Sequence, residues 1–132
     1  MEALGGAAAY TSYAARSFEA TRSFYEAQLG CMPVFAWDRA DGRGVYYNLG
    51  QVPVAEIMDA ARGDEALLPP TPGTFSIVVI VADAVRAHGE LSARGVTVTT
   101  PLANEPWGRY FGVQDPDGVE LYFLERSDAG TF

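Results

Sequence analysis

Residues 106–118 read PWGRYFGVQDPDG, and residues 119–124 continue as VELYFL. Tyr110–Val113 and Val119–Leu124 both have strand-like composition. Between them, Asp115-Pro116-Asp117-Gly118 supplies a proline whose ring fixes φ and a glycine that accepts positive φ, so a hairpin is predicted. Upstream lies an apolar run, Phe75–Val81, then Asp83 as N-cap of a helix over Ala84–Arg94, which Gly95 stops. Val96–Thr100 alternates like a strand and is expected to end before Pro101. The order is strand, helix, strand, strand, strand.

The first half of the chain repeats that order. Ala7–Ala15 reads as a strand, Ser17–Leu29 as a helix closed by Gly30, and Met32–Trp37, Val45–Leu49 and Val52–Met58 as three more strands. Residues 59–74 (DAARGDEALLPPTPGT) are charged, proline-rich and aperiodic, which suits a connector. The reading is a single α+β domain over 1–132. It consists of tandem βαβββ modules, module one about 8–58 and module two about 75–125, curled into a half-barrel sheet with the helices outside. Each module covers one sheet face with its helix and leaves the other open, so a ligand site is expected at a cleft between modules.

The chain has 132 residues, 48% of them apolar, which is one ordinary globular domain. Seventeen acidic residues against nine basic ones, all arginine, give a net charge of −8. Such a surface repels phosphate backbones and anionic bilayers, so neither nucleic acid nor membrane is expected as a partner. The longest apolar run, Phe75–Ala82, is far short of the roughly 20 residues of a membrane-spanning helix. One cysteine, Cys31, permits no intrachain disulfide, and the N-terminus lacks the basic region of a signal peptide. A cytoplasmic location is the resulting expectation.

The blocks Phe24–Gly30 (FYEAQLG), Leu91–Val96 (LSARGV) and Pro106–Gly118, together with the repeat, resemble the vicinal oxygen chelate superfamily. That superfamily includes glyoxalase I, extradiol dioxygenases and bleomycin- and fosfomycin-resistance proteins. Its metal-using members place four ligands on the first and fourth strands of the two modules. Carried over, those positions fall on Tyr10, Glu56, Ser76 and Tyr122, of which Glu56 alone matches a usual ligand. A two-residue slip would bring Ser12 or Glu120 inward instead. Serine and protonated tyrosine are poor ligands for a divalent ion, so no metal is expected. The single histidine, His88, falls mid-helix.

Alternation about Tyr122 puts Glu120 and Leu124 on its face. The expected ligand-binding set is Tyr10, Trp37, Glu56, Ser76, Trp107, Glu120 and Tyr122, with the tryptophans as flat stacking surfaces. The resemblance implies a metal-independent binding protein of the bleomycin-resistance type. It would work as a homodimer and hold an aromatic or cationic small molecule, such as an antibiotic. The other reading is a glyoxalase- or dioxygenase-class enzyme, with a degenerate Zn, Ni, Mn or Fe site or with Glu56 as general base. Cys31, with no histidine nearby in the sequence to activate it, reads as a buried structural thiol.

Overall fold

The computed structural model describes residues 2–62 and 67–127; residues 63–66 of the expected connector lie outside them. After a short 3₁₀ turn at Glu2–Leu4, the first module comprises β1 (Thr11–Ala15), α1 (Phe18–Ser23), β2 (Met32–Arg39), β3 (Gly42–Leu49) and β4 (Val52–Asp59). The second comprises β5 (Ser76–Ile80), α2 (Ala84–Ala93), β6 (Val98–Glu105), β7 (Gly108–Gln114) and β8 (Glu120–Arg126). The strand–helix–strand–strand–strand order thus appears twice, as read from the sequence. The sheets run β1-β4-β3-β2 and β5-β8-β7-β6, each mixed, with the first and last strands of each module parallel and the rest antiparallel.

Local chemistry explains the element ends. Ser17 accepts from the Ala20 N–H at the start of α1, and Asp83 accepts from the Arg86 N–H at the start of α2. α1 runs on into a π-helical turn, Phe24–Gln28, that ends before Gly30 at φ +76°. In the 115–118 turn, Asp115 Oδ1 accepts from the N–H groups of Asp117 and Val119, both at 2.9 Å. Gly118 there takes φ +81°. One expected boundary fails: β6 runs through Pro101 to Glu105 rather than stopping before the proline. The sheet order makes β6 an edge strand, where a missing N–H costs no ladder bond, and two register shifts surround the proline. The first strand is also shorter than read, because residues 7–10 pair with nothing.

Strand alternation sorts the side chains. In β8, Leu121 and Phe123 are buried, whereas Tyr122 and Leu124 are partly open. In β4, Ala55 and Ile57 are fully buried. Tyr25 stacks on Tyr47 at 5.3 Å beneath the first sheet, and Phe111 stacks on Phe123 at 5.1 Å beneath the second. The buried apolar residues of both modules form one continuous cluster.

The contacts that join the modules run through these helix-covered sides. Tyr13 Oη lies 2.5 Å from Asp115 Oδ2 and also bonds Tyr25 Oη. Arg16 Nη1 meets Asp117 Oδ1 at 2.9 Å, and Arg94 Nη1 donates to the Leu29 carbonyl at 3.1 Å. Cys31 is buried beside this junction, its thiol pushed up to about 12 by burial, so it is held as an inert thiol.

Candidate functional site

The two open sheet faces carry the residues singled out from the sequence. On the first, β1 and β4 place Ser12 directly beside Glu56. Ser12 Oγ donates to Glu56 Oε1 at 3.0 Å and Trp37 Nε1 donates to Glu56 Oε2 at 3.4 Å, so both carboxylate oxygens have partners. The indole of Trp37 lies over Gly44, where a Cβ would sit 2.8 Å from the ring. Arg39 covers the indole, its guanidinium 4.5 Å from the ring centre. Tyr46 is the cross-strand partner of Glu56 on β3, and Tyr10, just ahead of β1, stacks on it at 4.3 Å.

The second face is built to the same plan with different side chains. Ser76 pairs with Glu120 as Ser12 does with Glu56, and Gly112 pairs with Tyr122 as Gly44 does with Met58. Thr100 opposes Gly112 as Trp37 opposes Gly44. A hollow of about 260 Å³ opens there, walled by Val78, Thr100, Trp107, Tyr110, Tyr122 and Leu124. Trp107 stacks on Tyr110 at 5.1 Å and Tyr110 meets Tyr122 edge-on at 6.1 Å. Gln114 Nε2 donates to Glu120 Oε1 at 2.6 Å.

The expected site residues therefore fall into two sets. Tyr10, Trp37 and Glu56 belong to the first sheet; Ser76, Trp107, Glu120 and Tyr122 belong to the second. Among the described residues no strand pairing joins the sheets, and no hydrogen bond or ring contact links the two sets. The chain's two modules meet on their helix sides, so one chain presents two half-sites rather than one walled cleft. Tyr46, Tyr110, Thr100, Gly44 and Gly112 also shape these faces and were not singled out from the sequence. Tyr46 and Tyr110 lie on third and seventh strands whose aromatic content was visible; the two glycines matter only through what lies opposite them. His88 packs edge-on against Phe111 at 5.1 Å, on the helix side and away from both faces.

The donor chemistry does not fit a transition-metal ion. The positions that the repeat makes equivalent are Ser12 with Glu56 and Ser76 with Glu120, two carboxylates and two alcohols on separate sheets. Glu56 is already engaged through both oxygens by a hydroxyl and an indole N–H. No group of three or more His, Cys, Asp or Glu side chains converges among the described residues. No helix among the described residues is long and apolar enough to cross a membrane.

Comparison with known proteins points the same way as the fold. The family model described as "Glyoxalase/Bleomycin resistance protein/Dioxygenase superfamily" matches residues 7–123. No curated protein matches the sequence significantly. Among solved structures, TnmS3, an antibiotic binding protein from Streptomyces sp. CB03234, is similar at 21% identity and TM-score 0.71, covering 91% of this chain and 95% of its own. A glyoxalase / bleomycin resistance protein from Catenulispora acidiphila is similar at 23% identity and TM-score 0.67, covering 91% and 98%. TioX from Micromonospora sp. ML1 is similar at 15% identity and TM-score 0.72, covering 92% and 100%. At these identities the similarity shows the fold.

Proposed function

Since the chain belongs to the Glyoxalase/Bleomycin resistance protein/Dioxygenase superfamily, we propose that it is a metal-independent protein that binds an aromatic or cationic small molecule on its open sheet faces. The observation that carries this reading is the hollow on the second sheet, whose wall is three aromatic rings and three aliphatic or hydroxyl side chains. That lining is the ordinary make-up of a small-molecule pocket, with much apolar surface and few polar groups. The charge of −8 favours cationic ligands over anionic ones at long range. The antibiotic-binding description of TnmS3 supports an antibiotic as ligand. Glu56, engaged through both oxygens, is better suited to a fixed hydrogen-bond acceptor than to a general base.

Trp107 forms part of the wall, so binding is read by its fluorescence. In the Trp37→Phe variant, which leaves Trp107 as sole tryptophan, planar aromatic cations such as 9-aminoacridine are expected to quench saturably. Silence across a panel of such compounds, or three-ligand coordination of stoichiometric Zn, Ni, Mn or Fe, refutes the reading.

The same reading includes a homodimer in the cytoplasm. Both open faces and the edge strand β2 expose apolar side chains: Met32 is 64% exposed, Phe35 61% and Val78 52%. Large apolar side chains exposed on both sheets favour burial against a partner chain. A partner chain laying its first sheet over the second sheet of its neighbour would convert two half-sites into two complete clefts. Sedimentation equilibrium is expected to give about twice 14.2 kDa; a monomer at micromolar concentration contradicts it.

A further inference from the structure

The hollow on the second sheet is bordered by rings and has no charged group in its wall. Trp107, Tyr110 and Tyr122 supply the rings, and Val78, Thr100 and Leu124 complete the lining. Tyr110 and Tyr122 stand at 67° to each other with ring centres 6.1 Å apart, and Trp107 lies against Tyr110 at 26° and 5.1 Å. Rings at a steep angle beside one space form a corner, and each ring face carries the negative side of its quadrupole. Glu120 and Arg126 share the strand of Tyr122 but stand outside the wall. The Glu120 carboxylate is not available to an occupant: Oε1 holds Gln114 at 2.6 Å and Oε2 is closed off from solvent.

These features sort the head groups that could enter. An anion is repelled by the ring faces and by the net charge of −8. A primary ammonium brings N–H donors that lose their water and find no carboxylate in the wall. A fully alkylated ammonium has no N–H to satisfy; its alkyl groups suit Val78 and Leu124, and its charge is drawn to the ring faces. We propose that the hollow is an aromatic cage for a quaternary ammonium group. The inference rests on the binding reading above and narrows its ligand to one cationic head group. The chain already uses the same attraction elsewhere, where the Arg39 guanidinium lies 4.5 Å from the centre of the Trp37 ring. The acidic surface attracts all cations alike, so discrimination among them falls to the wall of the hollow.

Choline, ethanolamine and 3,3-dimethylbutan-1-ol separate the contributions when each is titrated against isotope-labelled protein by NMR. Ethanolamine keeps the charge but carries N–H groups, whereas the alcohol keeps the shape of choline without its charge. Choline is expected to bind about tenfold more tightly than either, shifting the amides of Tyr110 and Tyr122 and the indole N–H of Trp107. Tyr110→Leu and Trp107→Leu each remove one ring and are expected to weaken choline about fivefold or more, while the alcohol changes less. Choline no tighter than ethanolamine or than the alcohol, or undiminished in both variants, overturns the cage and leaves a less selective site in place. Absence of any shift with all three probes also overturns the cage. If planar aromatic cations still quench Trp107 in that case, the binding reading stands; if they too are silent, it falls with the cage.

Discussion

Asp115→Ala is expected to destabilise the protein by about 3–4 kcal/mol, lowering Tm by roughly 10–15 °C in a calorimetric or circular-dichroism melt. Three donors converge on this carboxylate. Oδ1 takes the N–H groups of Asp117 and Val119 and so shapes the β7–β8 turn, while Oδ2 takes the hydroxyl of Tyr13 from the other module. Asp115 is 4% exposed and Tyr13 6%, so water cannot replace the lost acceptor without opening the junction. At about 1 kcal/mol or more for each buried donor left unpaired, the three together set the magnitude. Tyr13→Phe leaves the turn bonds in place, removes the cross-module bond and the bond to Tyr25, and is expected to cost about 1–3 kcal/mol. If Asp115→Ala melts within 2 °C of the unmodified protein, the junction is not held as described.

The same group makes stability depend on pH in a direction opposite to the usual carboxylate. Burial raises the Asp115 pKa above its ordinary 3.8, against the lowering effect of the Tyr13, Val119 and Asp117 donors. A folded-state pKa above the unfolded one means that the folded chain holds the proton longer. The contribution is therefore complete below about pH 4 and is lost as pH rises through the folded pKa. Asp115→Asn keeps the turn acceptor and removes the titration, so it flattens this segment of the pH–stability curve.

Much of the fold was legible because its determinants are local. The DPDG turn, the Asp83 cap and the glycines closing both helices act within a few residues of themselves, and each ended an element near where it was read. Pro101 was misread for a non-local reason: proline stops a central strand but not an edge strand, and edge position is a property of the sheet order. The site was legible in part. Glu56, Glu120, Tyr122 and both tryptophans do lie on or beside open faces, since alternation fixes a face within a strand. The partners across strands were not legible, because three of the pairings carry register shifts that period-two counting misses. In the unshifted β1–β4 pairing, Ser12, not Tyr10, stands beside Glu56, because residues 7–10 precede the strand. Which faces meet was beyond reach as well: either sheet side is consistent with one alternating pattern, and the cross-module bonds of Tyr13, Arg16 and Arg94 exist only in three dimensions.

Gly112→Leu is expected to weaken binding of any ligand in the second-sheet hollow by about tenfold to a hundredfold and to lower Tm by several degrees. Gly112 lies on β7 opposite both Thr100 and Tyr122, and a Cβ there would stand 3.0 Å from each of those side chains. The added side chain must displace Thr100 and Tyr122, two residues of the hollow's wall. Overpacking of this kind costs about 1–3 kcal/mol, and the displacement of two wall residues carries the loss through to binding. Gly44→Leu is the matched control. There the new side chain strikes the Trp37 indole, whose atoms would lie 2.8 Å from Cβ, and lifts it from Glu56. That variant is expected to shift the Trp37 emission and to leave ligand binding on the second sheet within about twofold. The two glycines are equivalent in the repeat, so the contrast isolates what differs above them: the Trp37 indole in one module, and Thr100 with Tyr122, both walls of the hollow, in the other. Comparable loss of binding in both variants would place the ligand elsewhere than in the second-sheet hollow.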